Sequence, residues 1–402
     1  MADANKEQLA YLAESTWGTT PTSAMTIIPW VSGAMASGLD TTRSNSLRTD
    51  AQLSSSIQTG SSPSGNFEFE MTADTYDDFL KSVIRTDADW STSPTFSGTG
   101  AVTSTQFTGT GIHTNVAVGQ WVYITAPTVS GLAAGNTGWF KVTAVATDAI
   151  TTSPAPSETD ASVANMTVDG SYITNGSTLS SYTFAQNFSD LSNKYHTTTG
   201  CRLNSGNLTF TPNGIVTFGV GYDGKAMTQA TAWAGGSASA AASKDVASEV
   251  TAYESAYISA DAGTAEAYAK VTEDVLESSI SLAVENRPQK GLGSIGNTSM
   301  AQNSVDATGS IQFYVNANTW AYEGYFLAFT KFGLAQSLNF GTADDVTSIT
   351  DRYLIEFPKI ALTTEPGANS GLNTDLVYAF DFAAEPGGTI GSDAKTITIT
   401  KT

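Results

Sequence analysis

The sequence predicts a mainly β protein: two tandem β-sandwich or half-barrel units, each with one short helix, and a small β domain inserted into the first. Three observations carry that expectation. Residues 64–76 read S-G-N-F-E-F-E-M-T-A-D-T-Y and residues 308–320 read T-G-S-I-Q-F-Y-V-N-A-N-T-W, an ungapped match at an offset of 244. Gly65/Gly309, Phe69/Phe313, Ala73/Ala317 and Thr75/Thr319 are identical, and most other pairs are chemically close. A long internal period of this kind reads as duplication. Short alternating runs broken by frequent turn residues fill much of the remainder, in a chain rich in Gly, Ser, Thr, Ala and Asn. Residues 91–180 change character, and nothing comparable follows the helix of the second copy.

At 402 residues the chain has room for two or three domains with real cores. Its 38 acidic and 18 basic residues leave a net charge of −20. Binding nucleic acid takes clustered Lys and Arg to neutralise phosphates, and the sequence has no such cluster. One cysteine, Cys201, excludes an internal disulfide. The first residues are polar, and no apolar run approaches the ~20 residues of a membrane span. Synthesis in the cytoplasm and no membrane partner are the resulting expectations.

Taken in order, residues 6–13 read as a short helix. Glu14-Ser15-Thr16-Trp17-Gly18-Thr19-Thr20-Pro21 is a loop of hydroxyls with a hinge glycine, a terminating proline and one aromatic anchor. Residues 27–30 form a short apolar strand. Residues 40–63 turn polar, a length of loop that is uncommon inside a compact domain. Residues 286–307 are their counterpart, again polar and just before the repeated strand. In that strand Phe67, Phe69 and Met71 alternate with Asn66, Glu68 and Glu70, giving one apolar face. Thr75 is placed to cap a helix whose Tyr76, Phe79, Leu80, Val83 and Ile84 fall at helical spacing. Asp77 and Asp78 then complement the helix dipole.

In 91–180, residues 118–124 and 139–145 read as strands, with Gly135-Asn136-Thr137-Gly138 as a turn between them. The first unit resumes at Tyr182, and Pro212-Asn213-Gly214 marks a hairpin. Residues 232–269 form an Ala/Ser/Gly-rich bridge with one weak helix near 244–256. Leu276, Ser278, Ile280, Leu282 and Val284 then alternate as a strand, and Trp320, Tyr322, Tyr325, Phe326 and Phe329 crowd the second helix. Residues 353–357 and 376–380 are later strands. Residues 396–400 alternate Thr and Ile and are expected to end as an edge strand able to pair with another subunit. The boundaries expected are 1–90 with 181–231 for the first unit, 91–180 for the insert, 232–269 for the bridge and 270–402 for the second unit. The insert is expected on an outer surface, where removal is tolerated.

No set of residues reads as a catalytic, cofactor or metal site. Asp77 and Asp78 are adjacent on a helix and do not converge on one point. Asp87 and Asp89 are too few oxygens for a calcium loop. Cys201 near His196 lacks an orienting third group. His113 is a lone histidine. Trp121, Tyr123 and Trp139 form either a sugar platform or the core and edge of the insert, and the second reading is preferred.

The octet E-S-T-W-G-T-T-P, the strand Gly65-Asn66-Phe67-Glu68-Phe69 and the helix Thr75-Tyr76-Asp77-Asp78-Phe79-Leu80 occur in that order. Together they resemble the opening of tail tube proteins of long, flexible-tailed bacteriophages. The resemblance is best over 14–85 and looser over 181–224 and 271–386. It implies a structural virion protein, not an enzyme, whose stacked rings form the tail tube and conduct DNA without binding it specifically. It also implies loops that reach the neighbouring ring, which places Asp40, Arg43, Arg48, Asp50, Asn286, Arg287 and Lys290 in candidate inter-ring contacts. Glu68 and Glu70 become candidate channel-facing residues. If each chain carries two of six ring units, a homotrimeric ring with pseudo-sixfold symmetry follows, with a homohexamer as the second choice. Rings stack head to tail, and the tail terminator, tape measure and tail tip proteins are the other partners implied. The competing reading is a secreted or surface-displayed β-sandwich binding module, an adhesin or carbohydrate-binding protein.

Overall fold

A computed structural model describes residues 3, 6–46, 49–50, 52, 55–127, 131–192, 194–211, 214–244, 246–247, 256–259, 267–271, 275–316, 319–340, 349, 351–365, 375–390 and 393–402. The chain opens with β1 (Glu7–Ala13), β2 (Met25–Ile28), β3 (Ser32–Ala36), β4 (Leu39–Arg43), β5 (Ser56–Ser61), β6 (Ser64–Glu70) and helix α1 (Asp77–Val83). A closed six-stranded barrel follows: β7 (Ser97–Val102), β8 (Gln106–Thr108), β9 (Trp121–Thr125), β10 (Gly138–Ala146), β11 (Ala149–Ser153) and β12 (Asp160–Asp169). Next come β13 (Ser171–Thr174), β14 (Tyr182–Phe188), β15 (Lys194–Phe210), β16 (Thr217–Asp223), β17 (Ala226–Ala230) and β18 (Ala238–Ala240). The second unit holds β19 (Ala256–Ser259), β20 (Tyr268–Lys270), β21 (Val275–Gln289), β22 (Ser299–Tyr314), helix α2 (Trp320–Leu327), β23 (Phe332–Phe340), β24 (Asp351–Leu362) and β25 (Val377–Ala384). The chain closes with β26 (Gly387–Ile390), β27 (Asp393–Lys395) and β28 (Thr398–Lys401).

The duplication is visible in the register. β3 pairs with β6 through Ser32↔Glu68, Gly33↔Phe67 and Met35↔Gly65, and β4 with β5 through Leu39↔Ser61, Thr41↔Gln58 and Thr42↔Ile57. The β21–β22 ribbon repeats every one of these pairs: Glu277↔Gln312, Ser278↔Ile311, Ile280↔Gly309, Val284↔Val305, Asn286↔Gln302 and Arg287↔Ala301. Each ribbon shifts register at the same place, after Asp40 in the first and after Val284 in the second. An extra residue there bends the ribbon, as bulges do.

Two layers enclose the main core. One is a continuous sheet across both units, in the order β3–β6–β16–β15–β21–β22–β25–β24. The other holds β17–β15–β14–β1–β2–β18 in the first unit and β13–β28–β24–β23–β19–β20 in the second. Phe67, Phe69, Phe218, Val220, Ile280, Ile311, Phe313 and Phe380 point between the layers and are buried. Their alternation with polar neighbours is what fixes which face turns inward.

Several sequence expectations need correction. Residues 6–13 are β1, not a helix: β14 and β2 pair with it on both sides and bury Leu9 and Ala10, so tertiary pairing overrides local propensity. Thr75 does not cap α1. Tyr76 precedes the helix, and the Thr75 hydroxyl donates to the Ala73 carbonyl instead. The long polar segments each carry paired strands, β4–β5 within 40–63 and the distal part of β21–β22 within 286–307. Within 232–269, β18 and β19 are sheet strands, while most of the weak helix expected at 244–256 and part of the 212–214 turn lie outside the described residues. β28 is not an edge strand, because β13 and β24 flank it.

Candidate functional site: sheet face, seam and ribbon tips

The polar face of the continuous sheet is built by strand alternation. Glu68 lies opposite the buried Phe67 and Phe69, is exposed, and accepts a hydrogen bond from the Ser32 hydroxyl at 3.1 Å. Glu70 is half-buried on the same face. Across the pairing, Gly219 and Thr217 stand beside Glu68 and Glu70, then Asn207 and Thr209, then Ser281 and Ser279. Thr308 and Ser310 continue the row, with Asp381 beside Ser310. Glu277, beside Gln312, and Asp306, beside Ala283, add carboxylates to this face. Sequence reasoning named Glu68 and Glu70 and missed Glu277, Asp306 and Asp381. The signal was present, since each is the polar neighbour of a core residue: Ser278, Ala307 and Phe380.

The two units meet edge to edge where β15 pairs with β21, from Ser205↔Ala283 to Phe210↔Ser278. α1 lies over this junction. Its terminal Arg85, buried and left-handed at φ 54°, donates to the carbonyls of Asn303 and Glu285 on the β21–β22 ribbon. Asn286 anchors the same ribbon by donating to the carbonyls of Arg202 and Leu203 and to Asp223, each at 3.2 Å. At the other end of α1, Lys401 of β28 bridges Asp74 and Asp77, and the Tyr353 hydroxyl donates to Asp77 at 2.5 Å. Burial works to raise the Asp74 carboxyl, but the ammonium groups of Lys401 and Lys244 outweigh it and hold it below the usual range.

The octet proves to be a clamp. Glu14 accepts from Gly18 N at 2.7 Å, Ser181 Oγ at 2.9 Å, Thr183 Oγ1 at 2.7 Å and Gly200 N at 2.8 Å. The Trp17 indole donates to the Gly200 carbonyl at 2.9 Å, and Arg202 and Lys225 stack on its ring. Gly200, left-handed at φ 66°, is where β15 leaves the β14/β17 layer and enters the β16/β21 layer. A Cβ at Gly200 would press on Lys225 at 2.6 Å.

The expected inter-ring residues separate into groups. Asp40 and Lys290 pair at 2.8 Å, joining the tip of the β21–β22 ribbon to the base of the β4–β5 ribbon, and Ser61 N donates to the Ile295 carbonyl beside them. Arg43 donates to Ser56 within β4–β5 at 3.2 Å, and Asp50 accepts from Gln52 N at 3.3 Å. Arg287 pairs with Ala301 in the β21–β22 ribbon. Asn286 sits at the ribbon base, and Arg48 lies outside the described residues.

The insert is welded to the second unit. Trp121, Tyr123 and Trp139 are buried against Tyr257, Tyr268, Ala335 and Leu354, so they offer no open sugar platform. Lys141 and Glu356, both buried, pair at 2.5 Å, and the Tyr268 hydroxyl donates to the same carboxylate at 2.7 Å. Residues 91–180 also contain β13, the partner of β28, and these contacts argue against the expectation that removal of the insert is tolerated. Burial pushes the Cys201 thiol well above its usual range; its Sγ meets the Thr198 carbonyl, whereas His196 packs edge-on against Phe188. Asp87 is taken up by Ser177 and Thr178, and Asp89 by Lys81.

The fold is a duplicated β architecture with one sheet running across both units, and Glu14, Arg85 and Asn286 hold its strands together. A family model described as phage tail tube protein matches the chain twice, over residues 4–180 and 168–384, and the chain belongs to that family. It is a structural component of the virion tail. No curated protein matches it. Among the described residues no helix is long and apolar enough to cross a membrane.

Proposed function

We propose that three copies of this chain close a ring of six units, and that stacked rings form a tube whose channel conducts DNA. The observation that carries the reading is the β15–β21 junction, which joins one unit to the next edge to edge inside a single chain. Copying that junction between chains removes the remaining sheet edges, which β proteins otherwise have to protect. The unit boundaries expected from sequence, 1–90 with 181–231 and 270–402, supply two units per chain. The acidic and hydroxyl-rich sheet face lines the channel, with Glu68 and Glu70 toward the DNA. The ribbons joined by Asp40 and Lys290 meet the neighbouring ring, and the barrel sits on the outside. Tail terminator, tape measure and tip proteins meet the tube at its ends or within it. Averaged electron micrographs of rings test the stoichiometry: three chains per ring are expected, and six chains per ring refute the trimer.

A further inference from the structure

Among the described residues the chain has two ribbons and two α-helices, but only one ribbon–helix pair is matched internally. The β21–β22 ribbon lies under α1. The α2 helix and the ribbon formed by β3–β6 are the unmatched pair. Positions buried at the internal junction are exposed at the unmatched one. At the offset of 244, Val83 is fully buried whereas Leu327 is 70% exposed, and Arg85 is 1% exposed whereas Phe329 is 66%. Tyr76, buried in its own unit against Phe69, Phe79 and Phe218, is 1% exposed, and its counterpart Trp320 beside Leu327 is 62% exposed. On the ribbons, Val284 is 1% exposed and its register counterpart Leu39 is 60%. The backbone is prepared alike, since Phe329 is left-handed at φ 50° as Arg85 is at 54°. Among the described residues, β3 pairs only with β6, so its outer edge is open.

We infer that the apolar face of α2, formed by Trp320, Leu327 and Phe329, docks the β3–β6 ribbon of a second copy of this chain, with Leu39 seated as Val284 is seated under α1. The occupant follows from elimination and continuity: the other ribbon is already engaged, and the internal junction shows how such a ribbon covers such a helix. The two kinds of junction then differ in chemistry. Inside the chain, Arg85 donates to the carbonyls of Asn303 and Glu285. Between chains, Phe329 brings no donor, so that junction is held by burial of apolar surface. A ring alternates polar and apolar junctions, and only the apolar ones must form on assembly.

The inference rests on the ring reading, and the test separates the two. Phe329→Glu and Leu39→Lys are prepared singly and together, with folding of each monomer checked by circular dichroism and thermal melting. Each single change places an uncompensated charge in the apolar junction and is expected to raise the concentration needed for ring formation at least about tenfold. The double variant sets the introduced carboxylate of one copy against the introduced ammonium of the next and is expected to recover much of that loss. Trp320→Ser, on the same face, serves as a milder probe if Phe329→Glu does not fold, with the same expected direction. Rings forming as readily in the single variants as in the wild type overturn the docking surface and leave the ring reading standing. Losses in the two single variants that add up in the double, with no recovery, overturn the pairing of these two surfaces. Wild-type chain that stays monomeric at every concentration overturns both.

Discussion

Glu14 shows how one side chain can fix a fold without doing chemistry. Its two oxygens accept from four donors spread over three segments, so the N-terminal loop, the start of β14 and the bend in β15 share one anchor. A carboxylate serves because it only accepts. Glu14→Gln keeps the size but turns an amide toward two of the donors, and is expected to cost about 2 kcal/mol, near the contribution of a hydrogen bond to a charged group. Urea unfolding measures it, and an unchanged midpoint refutes the clamp. Lys141 makes the complementary case. Lys141→Met leaves the Glu356 carboxylate buried without its ammonium partner, still accepting from the Tyr268 hydroxyl. Breaking one side of such a pair costs about 3–5 kcal/mol, whereas replacing both partners by apolar residues is often close to neutral. Thermal melts of Lys141→Met and of Lys141→Met with Glu356→Leu are expected to show a large loss and then a substantial recovery.

At the scale of elements, the insert behaves as a brace. Deleting 91–180 uncovers Tyr257, Tyr268 and Leu354, removes the counter-ion of Glu356 and takes β13 from β28. The shortened chain is expected to melt well below the parent and to expose apolar surface, seen as dye binding; an unchanged melting temperature defeats this account. The element scale also shows what a sequence can and cannot reveal. Phe67, Phe69 and Met71 announce their strand because alternation is local, and the helical spacing of Tyr76, Phe79, Leu80 and Val83 announces α1 for the same reason. Glu7–Ala13 reads as a helix because what makes it a strand is pairing with Tyr182–Phe188, far along the chain. The β28 strand reads as an edge because its partner Ser171–Thr174 lies far back in the chain, within 91–180, beyond any local pattern. The clamp role of Glu14 was hidden likewise: its donors at Ser181, Thr183 and Gly200 meet only once β14 and β15 are in place.

At the scale of the whole molecule, the charge has a direction. Of the net −20, residues 91–180 contribute −3, from four carboxylates against Lys141, so −17 lies in the rest of the chain. On the sheet proposed to line the channel, Glu68, Glu70, Glu277, Asp306 and Asp381 share the polar face. Double-stranded DNA presents one charge per ~1.7 Å of axis. Lysines or arginines on the wall would pair with those phosphates at each ring and oppose sliding, while carboxylates keep the strand off the wall. Salt limits that repulsion to about 8–10 Å, so it acts on DNA near the wall and not across a wide bore. Changing Glu68 and Glu70 together to lysine converts four formal charge units per chain. Both side chains lie on the face opposite Phe67 and Phe69, so the core is untouched and assembly is expected to proceed. DNA release triggered in vitro is expected to slow or stall, most of all at low salt, where phosphate–lysine attraction is least screened. The matched change of both residues to glutamine removes repulsion without adding attraction and is expected to fall between the two. Release as fast in the lysine variant as in the parent at low salt removes Glu68 and Glu70 from the channel wall.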